Sequence, residues 1–225
     1  QYRFFLERLN NGHLKEYIKT PEKLITDLQV SPDRARLKSQ IVTNLLLRYR
    51  GAMDSVGGNE KEFIPAAFPL PWNRLSGFDY RANGKIANAI SCKYYTMHWP
   101  MMLKNYSEAL TRKNPGLSRS LLAECLCAAF EAVSPTPESS DSFHYPEPEE
   151  NHPVSAVALG KKQAQVESES TNAIIWPIAH SYGPCDDFAK RAKAVFSVSK
   201  KRLWINRYAY LTDEKLDALG EVMRS

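Results

Sequence analysis

The densest collection of chemically capable side chains lies between Phe188 and Tyr210, FAKRAKAVFSVSKKRLWINRYAY. Seven cations, Lys190, Arg191, Lys193, Lys200, Lys201, Arg202 and Arg207, stand there among Phe196, Trp204, Tyr208 and Tyr210, with no acidic residue between them. Lys and Arg neutralise phosphates and release counterions, while aromatic rings stack on unpaired bases for about 1–3 kcal/mol each. This is the chemistry of a nucleic-acid surface, with the cations on the backbone and Trp204 and Tyr208 as stackers. A second basic group, Arg34, Arg36, Lys38, Arg48 and Arg50, flanks an apolar stripe upstream. Such charges on an amphipathic helix ordinarily face water. Set across a groove from the 188–210 segment, they would line a positive channel for a single strand.

Other chemistries find less support. Cys185 precedes a helix N-terminus, whose dipole stabilises a thiolate, and His180 lies five residues earlier. Asp186 and Asp187 oppose that effect, and the Gly183-Pro184 turn separates the pair. Cys125 and Cys127 fall two apart on an expected helix, so they point about 200° apart and cannot grip one metal ion. His13, His98, His144, His152 and His180 are scattered, and no second CxxC or HxxxH completes a set. Gly57-Gly58-Asn59-Glu60-Lys61 lacks phosphate-loop spacing, no GxGxxG occurs, and Asp54 and Asp79 have no paired acid. The sequence therefore reads as a non-enzymatic nucleic-acid-binding chain with no cofactor and no metal, the type of nucleic acid unresolved. Two readings stand beside it. One is an assembly subunit that meets protein partners or further copies through Pro-rich docking arms; the other is a cysteine-dependent enzyme.

These side chains need a scaffold, and the expected one is mainly α. Thr20-Pro21 and Ser31-Pro32 each place a hydroxyl cap before a helix-starting proline. The second start opens a helix over 32–52, in which Leu37, Ile41, Leu45 and Tyr49 recur every four residues beside Val42 and Leu46. Three prolines make Phe63 to Trp72 an extended crossing. Ile86, Ile90, Tyr94 and Met97 mark a helical stripe that Pro100 kinks or ends. Leu117 to Val133 is apolar nearly all round, as a central helix would be. The stretch 154–166 is open between a hairpin and a helix. Asp186 to Phe196 is helical, and Thr212 caps a last helix. Read with Ser197 to Ser199 as a turn and Ser199 as the next cap, the basic segment resembles a helix-turn-helix. It departs from that motif at Phe196, where glycine is common, and at Arg202, where an apolar residue packs.

Segment 134–153 stands apart, with five prolines, five acidic residues and no Lys or Arg. It reads as a linker or long exposed loop between an N-terminal helical lobe, 1–133, and a basic C-terminal lobe, 154–225, with a short β element between 154 and 178. The whole chain carries +5, so the rest without this segment carries +10. A 43% hydrophobic fraction with 11% aromatic residues is that of a folding chain. No apolar run approaches the roughly 18 residues of a membrane span, so a membrane partner is not expected. Arg3, Glu7 and Arg8 break the apolar run Gln1 to Leu9, which lacks a signal core. Four cysteines make a thin disulfide framework and suit an intracellular, reducing compartment. Asn105-Tyr106-Ser107 matches a glycosylation sequon inside an expected helix.

Overall fold

Helix starts written by capping chemistry open the chain. The computed structural model describes residues 8–170 and 172–224; most of the Gln1 to Leu9 run lies outside them. Helix α1 (Asn11–Lys19) begins where the Asn10 side chain accepts from the N–H groups of Gly12 and His13. Helix α2 (Pro21–Leu28) and helix α3 (Pro32–Ser55) start on the expected prolines; Ser31 accepts from the Arg34 N–H, whereas the Thr20 hydroxyl does not cap and donates back to the Glu16 carbonyl. Short helices α4 (Trp72–Ser76) and α5 (Tyr80–Asn83) follow the extended crossing, and α5 is capped by Asp79. Gly77 ends α4 at φ 84°, and a Cβ there would fall 3.1 Å from the backbone of Lys38, so glycine is what allows α3 to lie close.

The fold is mostly helical around a four-stranded parallel sheet. Its strands are β1 (Ala66–Ala67), β2 (Ala89–Tyr94), β3 (Ile174–His180) and β4 (Trp204–Asn206), in the order β1-β2-β3-β4. The stripe read as a helix at Ile86 to Met97 is therefore β2. Both its faces are largely buried, and a near-continuous apolar run imitates helical spacing. Helix α6 (His98–Lys113) starts directly after it and takes Pro100 into its first turn, where no intrahelical N–H is needed. Helix α7 (Arg119–Phe130) is the central helix expected, with seven buried residues from Leu122 to Phe130. The undecided stretch becomes helix α8 (Ala156–Glu169). Helix α9 (Cys185–Val198) and helix α10 (Asp213–Arg224) complete the order.

Segment 134–153, expected as a linker or long exposed loop, is a long loop with most of its residues exposed and a few of them anchored in the fold. The Ser134 N–H donates to the Pro153 carbonyl at 2.8 Å, which closes its ends, and Ser140, Phe143 and His152 are buried. It is a packed loop. The sheet takes β1 and β2 from before this loop and β3 and β4 from after it, and β2 pairs with β3 at six positions from Ala89↔Ile174 to Tyr94↔Ala179.

Side-chain alternation divides the sheet into two unlike faces. Ile90, Cys92 and Tyr94 register with Ile175, Pro177 and Ala179, and they join Leu159 and Val166 of α8 and Val195 of α9 in one core or at its edge. The opposite face carries Ile174, Trp176 and Ile178, exposed or half-buried. Beside the core, Trp72 meets Trp99 at 4.9 Å and Phe130 at 5.3 Å. Into this aromatic nest α8 sends Lys162, buried, its ammonium donating to the Leu70 carbonyl at 2.8 Å and lying 5.4 Å from the Trp72 ring.

Burial pulls the Lys162 ammonium down to about 8. The native state therefore gives up this proton before the unfolded chain, whose lysines titrate near 10.4. Its contribution to stability must rise as pH climbs from about 8 to 10.4, by up to roughly 3 kcal/mol. Urea unfolding of wild type and Lys162→Met across pH 7–10.5 should show this rise in the wild type alone; parallel curves would refute it.

Candidate nucleic-acid interface

Helix α9 does not lead into a second helix. After Ser199 the chain turns and enters β4, whose Trp204, Ile205 and Asn206 register with Ile178, Ala179 and His180. The helix-turn-helix expectation is corrected here. Ser199 caps a turn instead, accepting from the Arg202 N–H at 3.2 Å, and Phe196 is core.

The seven cations of 188–210 go to different places. Arg191 is 3% exposed. Its guanidinium donates to the Asp187 carboxylate at 2.7 Å and to the carbonyls of His180 at 3.1 Å and Tyr182 at 2.7 Å. Arg202 pairs with Glu167 at 2.9 Å and donates to the Ile175 carbonyl at 2.9 Å. Both are structural. Lys190 and Lys193 lie on the outer side of α9, away from its buried Phe188, Ala192 and Val195. Lys200, Lys201 and Arg207 remain, all exposed, the two lysines before β4 and the arginine after it. All three have left-handed backbones, at φ 54°, 65° and 71°. Outside glycine such conformations cost about 1–2 kcal/mol each.

Between those cations the open face carries rings. Trp176 and Trp204 stack at 5.5 Å with 24° between planes, and Trp204 is 38% exposed. Along the same face toward the carboxyl ends of the strands, His180 meets Tyr95 at 5.3 Å and Tyr210 at 6.1 Å. The Asn206 amide donates to the Tyr95 hydroxyl at 2.7 Å. His98 and Tyr145, 5.7 Å apart, extend the aromatic group onto α6 and the packed loop. Tyr208 is exposed just beyond Arg207. Sequence reasoning named Trp204 and Tyr208 but missed Trp176, Tyr95, His98, Tyr145 and His180. Strand register brings Trp176 and His180 to Trp204 and Asn206, and the start of α6 and the packed loop add the other rings.

These histidines are rings rather than acids at neutral pH. The Tyr182 N–H donates to His180 Nδ1 at 3.1 Å, which leaves the ring proton on Nε2. Burial first, then the charges of His98, Arg191, Arg207 and Lys215, holds its imidazole down to about 4. His152, 2.6 Å from the Thr96 hydroxyl, is held to about 2 mainly by burial. The Cys185 thiol is pushed up by burial and by Glu214 and Asp186, which disfavours the thiolate a nucleophile needs. Cys125 and Cys127 are buried in α7. Among the described residues no group of three or more His, Cys, Asp or Glu is arranged to hold a metal, and no helix is long and apolar enough to cross a membrane.

The upstream basic group lies on α3, which packs on α4, α5 and the turn at 58–60, whereas the 188–210 segment rests on β3, α8 and α10. Arg36 pairs with Asp33, Lys38 donates to the Leu75 carbonyl, and Arg50 holds Asp54 and the carbonyls of Asn59 and Lys61. Arg34 and Arg48 are exposed. No protein-family model, curated protein or solved structure matches the chain.

The depressed His180 makes the native state bind fewer protons than the unfolded chain below about pH 6.5. Stability from this residue is present above that pH and is lost as pH falls toward 4, by up to roughly 3 kcal/mol. In His180→Asn, whose side-chain oxygen can still accept the Tyr182 N–H, acid unfolding followed by circular dichroism should lose that part of its slope. An unchanged slope would contradict the assignment.

Proposed function

We propose that the chain binds single-stranded nucleic acid along β4, through its backbone and base faces. The observation that carries this reading is the stack of half-buried Trp176 on exposed Trp204, with Lys200 and Lys201 at one end of the strand and Arg207 at the other. A flat indole pair offers a base a stacking partner without reading its edge, which gives affinity with little sequence preference. The flanking cations, at most about 20 Å apart along the chain, can meet phosphates on either side of the stacked bases. Duplex bases are already stacked and cannot reach the indoles, so a single strand is the fitting ligand. Three left-handed cations support the reading further, because backbone strain concentrates where a chain is shaped for a ligand. Lys190, Lys193, Arg191 and Arg202 have no part in it.

Fluorescence anisotropy with labelled single-stranded and duplex oligonucleotides at two salt concentrations tests the proposal. Three phosphate contacts give a slope of about −2 for log affinity against log salt on a single strand. Trp204→Ala should weaken binding roughly tenfold, while the Lys190→Ala/Lys193→Ala double variant should stay within about twofold. Duplex binding as tight as single-strand binding, or equal losses in both variants, would overturn it.

Lys201→Gly separates function from stability. Removing the left-handed penalty should raise unfolding free energy by about 1 kcal/mol while flattening the salt slope by about 0.7. Reduced stability in urea titration would mean that the lysine conformation is not strained.

A further inference from the structure

Helix α3 contradicts the simplest reading of its own sequence. Its 24 residues include none that is buried. Val42 and Leu46 pack against the core, and Ala35, Ser39 and Met53 line the same inward side. The stripe at four-residue spacing points outward instead: Leu37 is 56% exposed, Ile41 58%, Leu45 50% and Tyr49 57%. An isolated exposed leucine needs no explanation, but four apolar side chains in line over about 18 Å of helix form a continuous ridge. Beside the ridge a groove of about 570 Å³ runs between α3 and the 28–30 and 74–75 segments, lined by Leu28, Val30, Leu37, Ile41 and Leu75. Val30 sits there at φ 77°, a left-handed conformation that β-branched residues rarely adopt.

Charge selects the occupant. At about 100° per residue, Arg34, Lys38 and Arg48 fall within the same outward arc as Leu37, Ile41, Leu45 and Tyr49, and no acidic residue does. Asp33 and Asp54 lie off it and are already paired with Arg36 and Arg50. A second copy would oppose like charges in either direction. Antiparallel pairing centred on the stripe sets Lys38 against Arg48, and parallel pairing sets Arg34 and Arg48 against their own copies; such juxtapositions cost stability. A concave groove beside a ridge also fits a cylinder better than a bilayer plane.

We infer that the outward face of α3 is the docking surface for an acidic amphipathic helix of a partner protein, apolar along one side and flanked by Glu or Asp. This stands apart from the β4 reading and survives or fails without it. The test uses two dye-labelled 18-residue helical peptides with identical leucine stripes, one flanked by Glu and one by Lys, titrated with the full chain. The Glu peptide should bind at least tenfold more tightly than the Lys peptide and weaken as salt rises. Ile41→Glu, an exposed change whose fold circular dichroism can verify, should lower its affinity at least tenfold and leave oligonucleotide binding unchanged. Arg48→Glu should narrow or reverse the preference between the peptides. Absence of saturable binding by the Glu peptide, or no preference between the two, overturns the inference. So does self-association in sedimentation, or flotation with anionic phosphatidylserine vesicles, if either is abolished by Ile41→Glu.

Discussion

One buried ion pair ties together three pieces of chain on which the candidate interface stands. Asp187 and Arg191, one turn apart on α9, are both buried and 2.7 Å apart. Their remaining hydrogen-bonding capacity goes outward. The carboxylate also accepts from the His152 N–H at 3.3 Å, and the guanidinium reaches the His180 and Tyr182 carbonyls. The packed loop, the end of β3 and the start of α9 are thereby fixed to one point. A buried pair of this kind adds little net stability over an apolar substitute, but losing one partner strands the other at a cost of about 3–5 kcal/mol. The pair therefore acts mainly as a register device, setting where Tyr95, His180 and Tyr182 meet. Glycine at 183 fits the same requirement: its φ is 93°, and a Cβ would lie 3.0 Å from His152 Nε2.

The sheet adds a second constraint. Parallel strands normally have both faces covered, because their crossovers carry helices to both sides. Here the order β1-β2-β3-β4 never reverses, and right-handed crossovers that always step the same way fall on one side. Such a sheet has no topological switch point, the place where α/β folds usually open a ligand crevice. It has an uncovered face instead. Toward β1 that face is closed, with Ala89 and Ser91 buried, and toward β4 it opens onto Trp176 and Trp204.

Much of the helical layer is legible in the sequence because capping and proline chemistry are local. Ser31-Pro32, Asp186-Asp187 and Thr212 mark real starts, and α7 is as apolar and central as its composition says. What escapes is decided by distant residues. Ile86 to Met97 reads as a helix because a doubly buried strand leaves no alternation to detect. Segment 134–153 reads as a linker or exposed loop by composition, and most of it is exposed, yet Phe143 and His152 are buried against other elements. The stripe on α3 marks an amphipathic helix, but periodicity gives two faces without saying which one turns inward. Val42 and Leu46 do so, packing against the core, while Gly77 lets α3 lie close at Lys38. At the interface, Trp204 was visible within its basic segment, whereas Trp176, 28 residues earlier, becomes its neighbour only through the β3–β4 register.

The same logic explains why a dense run of charge does not map onto one surface. A run of seven cations without an acid suggests one surface, but a chain that passes from helix to edge strand within it must distribute them. Arg191 and Arg202 have the forked donors that can satisfy several buried acceptors at once, and the fold uses them so. Lysine, a flexible point charge, is left at the surface. The exposed charge that remains is smaller than composition implies and more ordered. Five of the seven are exposed, Lys190 and Lys193 on α9 and Lys200, Lys201 and Arg207 at the two ends of one strand, the last three with left-handed backbones. On the proposed reading, a ligand with alternating charge and flat apolar faces matches the order of cations and rings along β4, and a uniformly acidic surface does not.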